Sequence, residues 1–430
     1  MKPYQVLIFI AVVMGLLGVL YKAFPNGQLL HKDSEFSIQD SELSLEVSEN
    51  DTIEEFPVFA ETEVEAEPDT VIAKEPEVII PKIAVDSTTD SRVFLSSFYA
   101  SLAESGNKVV RVLHYGDSQI EEDRMSQQIR EALQNKYGGS GAGLLPLAQT
   151  IPSRTVKQQL RMNDRWIQPA QGPKRYLVYG PKRDQREDGL YGVMGQVAVM
   201  NDSLVQGSEE LTAVCTPLDG RKRYTKWRVF ADSSVHYSFV GDSVFLSGQG
   251  KVYGLSQQSD TGVIVDNIPM RGCLGLVFTK MDREQLVTFY REQNVQLIIM
   301  QFGGNAIPSN KNPGTIQGIV KGLRQQVQYL RACAPQASIL FIGPSDMLTQ
   351  IDGEWQTYPM VPYMDKLLRK MALEENIAYF SLYRWMGGAG SMAHWQEIGL
   401  AGSDGVHFTR SGARKAGNAV AEWMLEGSEN

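Results

Sequence analysis

The chain has 430 residues, 41 basic against 50 acidic side chains, a net charge of −9 and only three cysteines. That length calls for more than one folding unit and leaves ample residues for a large core. Cys215, Cys273 and Cys333 are isolated and odd in number, which excludes a disulfide framework and any cysteine-based metal site.

Met1 to Phe24 reads MKPYQVLIFIAVVMGLLGVLYKAF, and its uncharged run from Pro3 to Tyr21 approaches the ~20 residues that span a bilayer. No small-x-small cleavage site follows, only Tyr21-Lys22-Ala23-Phe24-Pro25. Residues 1–24 therefore read as an uncleaved signal anchor, with Lys2 on the cytoplasmic side and everything after Lys22 outside. Residues 25–90 are a different material. Lys32 to Asp90 carries 18 acidic residues and three lysines, with scattered Pro, Ser and Thr and no sustained hydrophobic period. The expectation is a disordered, self-repelling linker that lifts the rest off the membrane. Without this stretch and without Lys2 and Lys22, the charge of Ser91 to Asn430 is +4. The acidity belongs to the linker, so the remainder can sit beside a polyanionic wall; no nucleic-acid partner is expected.

A helical pattern from Arg92 to Leu102 precedes an apolar, β-branched run that ends at Gly116-Asp117-Ser118. An amphipathic helix is predicted from about Glu121 to Tyr137. A strand that passes through a small-residue turn into a helix places one side chain at the strand's carboxyl end, where α/β sheets build sites. The helix aims its unpaired N–H groups and its positive pole at the same spot. Ser118 is thus a candidate nucleophile whose own N–H can hold an oxyanion, although Asp and Ser are equally favoured as plain helix caps. Gly138 to Gly143, GGSGAG, lacks the Gly-Lys-Ser/Thr of a P-loop and opens no helix as a dinucleotide fingerprint does. It is predicted to be a flexible exit from the helix near the site.

Between residues 149 and 258 the period changes to that of short strands. YLVYG, GQVAVM, LTAVCT, WRVFA, VHYSFV and SVFLSG are separated by Gly, Asp, Asn and Pro turns, the signature of an inserted all-β sandwich or jelly roll. Its Trp166, Tyr176, Tyr179, Trp227 and Tyr237 either stack on sugar rings or fill a core. From residue 259 to 430 strands and helices alternate. Helices are predicted over Asp282 to Asn294, Gly314 to Cys333 and Val361 to Glu375, with a last one from near Ser411. Strands end near Asp266, Phe302, Gly343 and Leu382. Alternation of this kind implies a parallel sheet covered on both faces.

Three further pieces carry polar chemistry. Asn267-Ile-Pro-Met-Arg-Gly272 follows one strand and offers a backbone N–H at Gly272; Gly303-Gly304-Asn305 follows another and offers an amide donor. Gly402-Ser-Asp-Gly-Val-His407 places Asp404 and His407 three residues apart, close enough for the carboxylate to fix the imidazole tautomer and leave Nε2 free to take a serine proton. Asp346, at the end of Gly343-Pro-Ser-Asp, and Asp117 are candidate substrate contacts. His394, read as lying in a loop before the last block, is a candidate contact or a rival base.

These four blocks, in this order, resemble the SGNH (GDSL) hydrolase superfamily. The nearest likeness is a periplasmic branch, which includes peptidoglycan O-acetylesterases, whose core is interrupted after the first block by a β-rich domain. The resemblance covers about Ser91 to the end and departs from the pattern at Gln119, where the motif has Leu, and at Ala306, where many members have Asp. It implies a three-layer, flavodoxin-like parallel sheet with an inserted all-β domain, in segments 91–148, 149–258 and 259–430. It further implies Ser118 as nucleophile, Asp404 and His407 as its relay, and the Ser118 N–H, Gly272 N–H and Asn305 amide as oxyanion donors. No metal or organic cofactor is required. Three functions follow as expectations: hydrolysis of acyl, chiefly O-acetyl, esters on a cell-envelope glycan; transfer of the acyl group between glycans beside a membrane-bound O-acyltransferase; or glycan binding by the β-module of an inactive hydrolase.

Overall fold

A computed structural model describes residues 90–428, except residues 148–151, 163–164, 168–173, 178–195, 201–210, 219–225, 232–233 and the single positions 249, 282 and 352. The expected membrane anchor and acidic linker lie outside the described residues, among which no helix is long and apolar enough to cross a membrane.

The first strand, β1 (Val109–Gly116), is buried along nearly its whole length, as a parallel strand covered on both faces must be. Ten strands follow before the parallel sheet resumes: β2 (Gly143–Leu145), β3 (Val156–Met162), β4 (Arg165–Ile167), β5 (Lys174–Leu177), β6 (Gln196–Met200), β7 (Leu211–Pro217), β8 (Lys226–Ala231), β9 (Val235–Val240), β10 (Ser243–Gly248) and β11 (Gly250–Gln258). The sheet then continues with β12 (Gly262–Pro269), β13 (Val295–Gln301), β14 (Ser338–Gly343) and, after a hairpin of β15 (Leu348–Ile351) and β16 (Glu354–Thr357), β17 (Ala378–Ser381). Its order is β12-β1-β13-β14-β17, every pair parallel. Counted within this sheet alone the order is second-first-third-fourth-fifth, the flavodoxin-like winding, whose switch point lies at the carboxyl end of the first strand.

Helices cover both faces. On one side, Val110, Val112, Val263, Val265, Leu297, Ile299, Leu340 and Ile342 pack against residues of α1 (Ser96–Leu102), α2 (Ser126–Tyr137) and the terminal α8 (Arg410–Gly427). On the other side lie α3 (Arg283–Glu292), α4 (Pro313–Cys333) and α5 (Val361–Glu374). There the Tyr115 and Tyr290 hydroxyls meet at 3.2 Å and the Tyr379 hydroxyl donates to Asp365 at 2.8 Å. Two short helices, α6 (Leu382–Met386) and α7 (Ser391–Glu397), complete the C-terminal part.

The inserted strands form two antiparallel sheets, β4-β3-β7-β10-β9 and β2-β11-β6-β5, with β8 also paired to β11. Val156, Leu160, Ala213, Val244, Leu246 and Leu255 are among the side chains that close a separate core. Trp227 belongs to that core at 4% exposure, whereas Tyr237, on the edge strand β9, is 51% exposed. Trp166 and Tyr176 fall on β4 and β5, and Tyr179 lies outside the described residues. A buried polar knot ties the β-module to the sheet. Arg111 of β1 meets Asp266 of β12 at 3.2 Å with both side chains fully buried, Arg111 also donates to Gln258 at the end of β11, and Asp266 accepts from the Leu144 N–H at 2.9 Å.

Two expectations need correction, and one element was not expected. The helix expected from Glu121 starts only at Ser126. Ser118–Asp123 is a distorted 3₁₀ segment in which Glu121 is extended (ψ 160°) and Glu122 and Asp123 take positive φ of 61° and 63°. Glu121 pairs with Arg271 and Glu122 with Arg154, both far away in sequence, while Asp123 pairs with Arg130 of α2, and these pairs turn the carboxylates off the helix path. Gly138–Gly143 is not a loose exit near the site. A Cβ at Gly139 would lie 2.4 Å from the Val263 backbone, and one at Gly141 2.2 Å from the Gln257 carbonyl oxygen; the glycines exist so that this run can lie flat on β11 and β12. Finally, the β15–β16 hairpin occupies a stretch to which the sequence reading assigned no element.

Candidate active site

The site gathers at the carboxyl ends of the parallel strands. β1 delivers Asp117 and Ser118, β13 delivers Asn305 after a left-handed Gly303 (φ 117°), and the turn leaving β12 carries Gly272. Asp404 and His407 arrive from the loop between α7 and α8, immediately before Thr409 caps α8 by accepting from the Gly412 N–H.

The Ser118 hydroxyl stands 2.8 Å from His407 Nε2, and His407 Nδ1 stands 2.7 Å from Asp404 Oδ2. Asp404 Oδ1 accepts the backbone N–H groups of Val406 and His407, both at 2.9 Å. Partial burial pushes the Asp404 pKa up. The hydrogen bonds from the His407 ring and from those two amides outweigh burial and hold it well below the usual carboxylate range. An ionised carboxylate on Nδ1 fixes the tautomer in which Nε2 is the acceptor, so the geometry is that of a serine set up for deprotonation. Gln119, where the motif has Leu, donates from its side chain to the Val406 carbonyl at 2.7 Å and so ties the nucleophile turn to the histidine loop.

Asn305 bridges two turns of the site. Its amide donates to Asp117 Oδ2 at 3.2 Å and to the Cys273 carbonyl at 3.3 Å, joining the nucleophile turn to the turn that carries Gly272. Asp117 accepts the Gln119 N–H on its other oxygen at 3.0 Å; burial pushes its pKa up to about 6, against the pull of that hydrogen bond and of His407. Gly272, at φ 69°, sits third in a turn closed by the Cys273 N–H on the Met270 carbonyl, the position where a left-handed residue is required. A pocket of about 90 Å³ opens over Ser118, His407 and Asn305, walled by Phe302, Pro308, Pro344, Met347 and Leu382. Gly272 is not among its lining residues.

Two candidate contacts are displaced from the pocket. Asp346 is fully buried, and its carboxylate accepts the Met392 N–H at 2.9 Å and the Ser391 hydroxyl at 3.4 Å. It caps α7, although its neighbours Ser345 and Met347 line the pocket. His394 lies on α7, not in a loop. Its side chain is 65% exposed beside Glu397, away from the pocket lining, so it is no rival to His407. Cys273 is buried, and burial raises its thiol to about 12, which removes it as a nucleophile. His114 is buried between Gln301 and Ser126, with burial pushing it down to about 4, so it is a neutral partner of Gln301, which lines the pocket.

Two features went unread in the sequence. One is the pairing of Glu121 with Arg271, which joins the nucleophile turn to the Gly272 turn. The other is the β15–β16 hairpin, from whose base Met347 reaches the pocket; an Asp352-Gly353 pair between alternating residues was its signal.

Fold and relay together define a serine-hydrolase type of site at the switch point of a flavodoxin-like sheet. Compared by sequence, the chain matches no protein-family model and no curated relative. Compared by structure, it has the SGNH/GDSL type of fold. It is similar to a peptidoglycan O-acetylesterase, with a TM-score of 0.62 and 19% identity over 79% of this chain and 99% of that one. Smaller likenesses exist, one of them to a carbohydrate acetylesterase from Sinorhizobium meliloti (TM-score 0.28, 15% identity, 38% of this chain and 79% of that one). Another is to the periplasmic domain of a lipopolysaccharide acetyltransferase from Salmonella ser. Paratyphi A (TM-score 0.26, 13% identity, 39% and 74%).

Proposed function

We propose that the chain is a serine esterase that removes acyl groups, chiefly O-acetyl, from a cell-envelope or other polysaccharide through an acyl-Ser118 intermediate. The observation that carries this reading is the unbroken Ser118–His407–Asp404 relay at 2.8 and 2.7 Å. Ser118 Oγ attacks the ester carbonyl as His407 Nε2 takes its proton, and Asp404 steadies the imidazolium. The carbonyl oxygen, now anionic, is held by the Ser118 N–H, the Asn305 amide and the Gly272 N–H. The two Asn305 hydrogen bonds are long for their type, so turning the amide toward an oxyanion sacrifices little. His407 then protonates the leaving sugar oxygen, and water repeats the sequence to release the acid. The acetyl and glycan assignment draws on the acetylesterase that shares the fold over 99% of its own length, and on the short apolar wall facing Ser118. In this reading residues 1–24 anchor the protein in the inner membrane and residues 25–90 carry the catalytic part into the periplasm.

The test is turnover of an aryl acetate by the full chain and by Ser118→Ala, with mass spectrometry to trap acyl-Ser118 in the wild type. Wild-type rates in a folded Ser118→Ala protein sink the assignment. Acetate release from an acetylated glycan, measured with and without unmodified glycan, separates hydrolysis from transfer. Free acetate without an acceptor is expected; acetyl groups appearing only on added glycan would favour the transferase.

A further inference from the structure

The turn that carries Gly272 is held in an unusual way. A Cβ at Gly272 would meet nothing within 4 Å, so the turn is open on that side. Besides the burial of Met270 and Cys273 on either side, bonds to the site hold it. The Met270 N–H donates to the Gly116 carbonyl at 2.7 Å before the turn, and Asn305 donates to the Cys273 carbonyl after it. Between them, Arg271 Nε and Nη2 donate to the two carboxylate oxygens of Glu121 at 2.8 and 2.6 Å. The Glu121 side chain is 4% exposed and that of Arg271 66% exposed.

A parallel two-point fork fixes orientation as well as distance. It is also costly. Glu121 leaves the helical path to make it, the two residues after it take positive φ, and a carboxylate is taken out of water. Such a pair adds little net stability over a well-packed apolar one. What it does add is a rigid strut from the third residue after the nucleophile to the residue before Gly272.

We infer that Glu121 is a positioning residue that acts through Arg271 to hold the Gly272 N–H in register with Ser118, a role that rests on the esterase reading above. Ground-state binding of a small ester does not use this donor fully, whereas the tetrahedral intermediate does. Loss of the strut therefore lowers kcat and leaves KM nearly unchanged.

The test uses the full-length protein, an aryl acetate and an aryl phosphonate that phosphonylates Ser118 through an oxyanion-like transition state. Glu121→Gln keeps the shape and removes the charge. The expected result is a fall of roughly 10–100-fold in kcat, somewhat less than deletion of an oxyanion donor, with a parallel fall in phosphonylation rate. Arg271→Met, at a mostly exposed position, reproduces the loss without threatening the fold, and Arg271→Lys restores part of it. Glu122→Gln is the control, because Glu122 binds Arg154 and not the Gly272 turn; its kcat should stay at the wild-type level. A folded Glu121→Gln or Arg271→Met protein with unchanged kcat overturns the inference. Equal losses in Glu121→Gln and Glu122→Gln also overturn it, by showing general loosening of the nucleophile turn. Turnover persisting in Ser118→Ala overturns the esterase reading and the strut with it, a result distinct from either of those.

Discussion

Asp117 gives a quantitative handle on the site, because it is 5% exposed and burial pushes its pKa from the ordinary 3.8 to about 6. Between those two values the folded protein holds a proton that the unfolded chain has released. Stability must therefore fall as pH rises through that window, with none of the loss present below 3.8. A displacement of that size corresponds to about 3 kcal/mol. His114 works with the opposite sign over nearly the same range. Burial lowers it from 6.5 to about 4, so below 6.5 the unfolded chain gains a proton that the folded protein refuses, and stability falls as pH falls. In the wild type the two slopes largely offset each other between pH 4 and pH 6. Asp117→Asn removes one slope and leaves the other. Replacing one carboxylate oxygen by an amide disturbs the bonds from Gln119 and Asn305, but that offset does not depend on pH. The prediction is that the stability of Asp117→Asn relative to wild type rises by about 3 kcal/mol from pH 4 to pH 7. Urea unfolding of both proteins, followed by tryptophan fluorescence at half-unit pH steps, measures the difference directly. A difference that stays constant across the range would refute the buried, proton-binding Asp117 described here.

Asp404→Asn should lower aryl acetate turnover by roughly 10⁴-fold with little change in the unfolding midpoint, because the amide supports the wrong imidazole tautomer; His407→Ala should be comparably severe. Gly405→Ala should destabilise the protein by about 1–3 kcal/mol and weaken turnover, since φ is 68° there and the new Cβ would lie 2.9 Å from Leu348 Cβ. Circular dichroism melting and an esterase assay check the two halves of that statement. Cys273 should resist a thiol reagent in the native protein at pH 8 and react only on unfolding, as its burial and its pKa near 12 require.

What could be read from the sequence was what is local or repeats along the chain. β13 and β14 are buried on both faces, so VQLIIMQ and SILFIG show as unbroken apolar runs with no partner needed to recognise them. Asp404 and His407 are three residues apart, and the hydrogen bonds between them follow from that spacing. What stayed hidden depends on contacts between distant residues. Glu121 to Tyr137 has the composition of one helix, yet its first carboxylates are claimed by Arg271 and Arg154, 150 and 32 residues downstream. GGSGAG looks like a flexible linker because glycine serves equally for freedom and for close backbone approach, and only the position of β12 decides between them. Asp346 follows a strand that ends on the side of the site and His394 precedes the last block, but Asp346 turns to cap α7 and His394, on α7, faces water.

The hidden contacts explain how a large β-module can interrupt the sheet directly after the nucleophile's helix without loosening the site. Glu121, Glu122 and Asp123 diverge from one short segment. Glu121 holds the Gly272 turn, Glu122 holds Arg154 both by its side chain and through its carbonyl, and Asp123 accepts from Arg130 of α2 and from the Thr155 hydroxyl. Arg154 and Thr155 stand at the entry to β3, so the module's first long strand is tied to the nucleophile turn. Its last strand, β11, runs within a few residues into β12, and the Arg111–Asp266–Gln258 knot locks that exit. These two junctions tie the module to the parallel sheet at both its entry and its exit. Positive φ at Glu122 and Asp123 costs on the order of 1 kcal/mol or more each, and the helix forfeits its first turn. Three charged contacts, two of them with nearly buried carboxylates, offset that strain. A straight helix from Glu121 would be easier to form, but it would leave the module entry without these ties and the Gly272 turn with only the bonds at Met270 and Cys273.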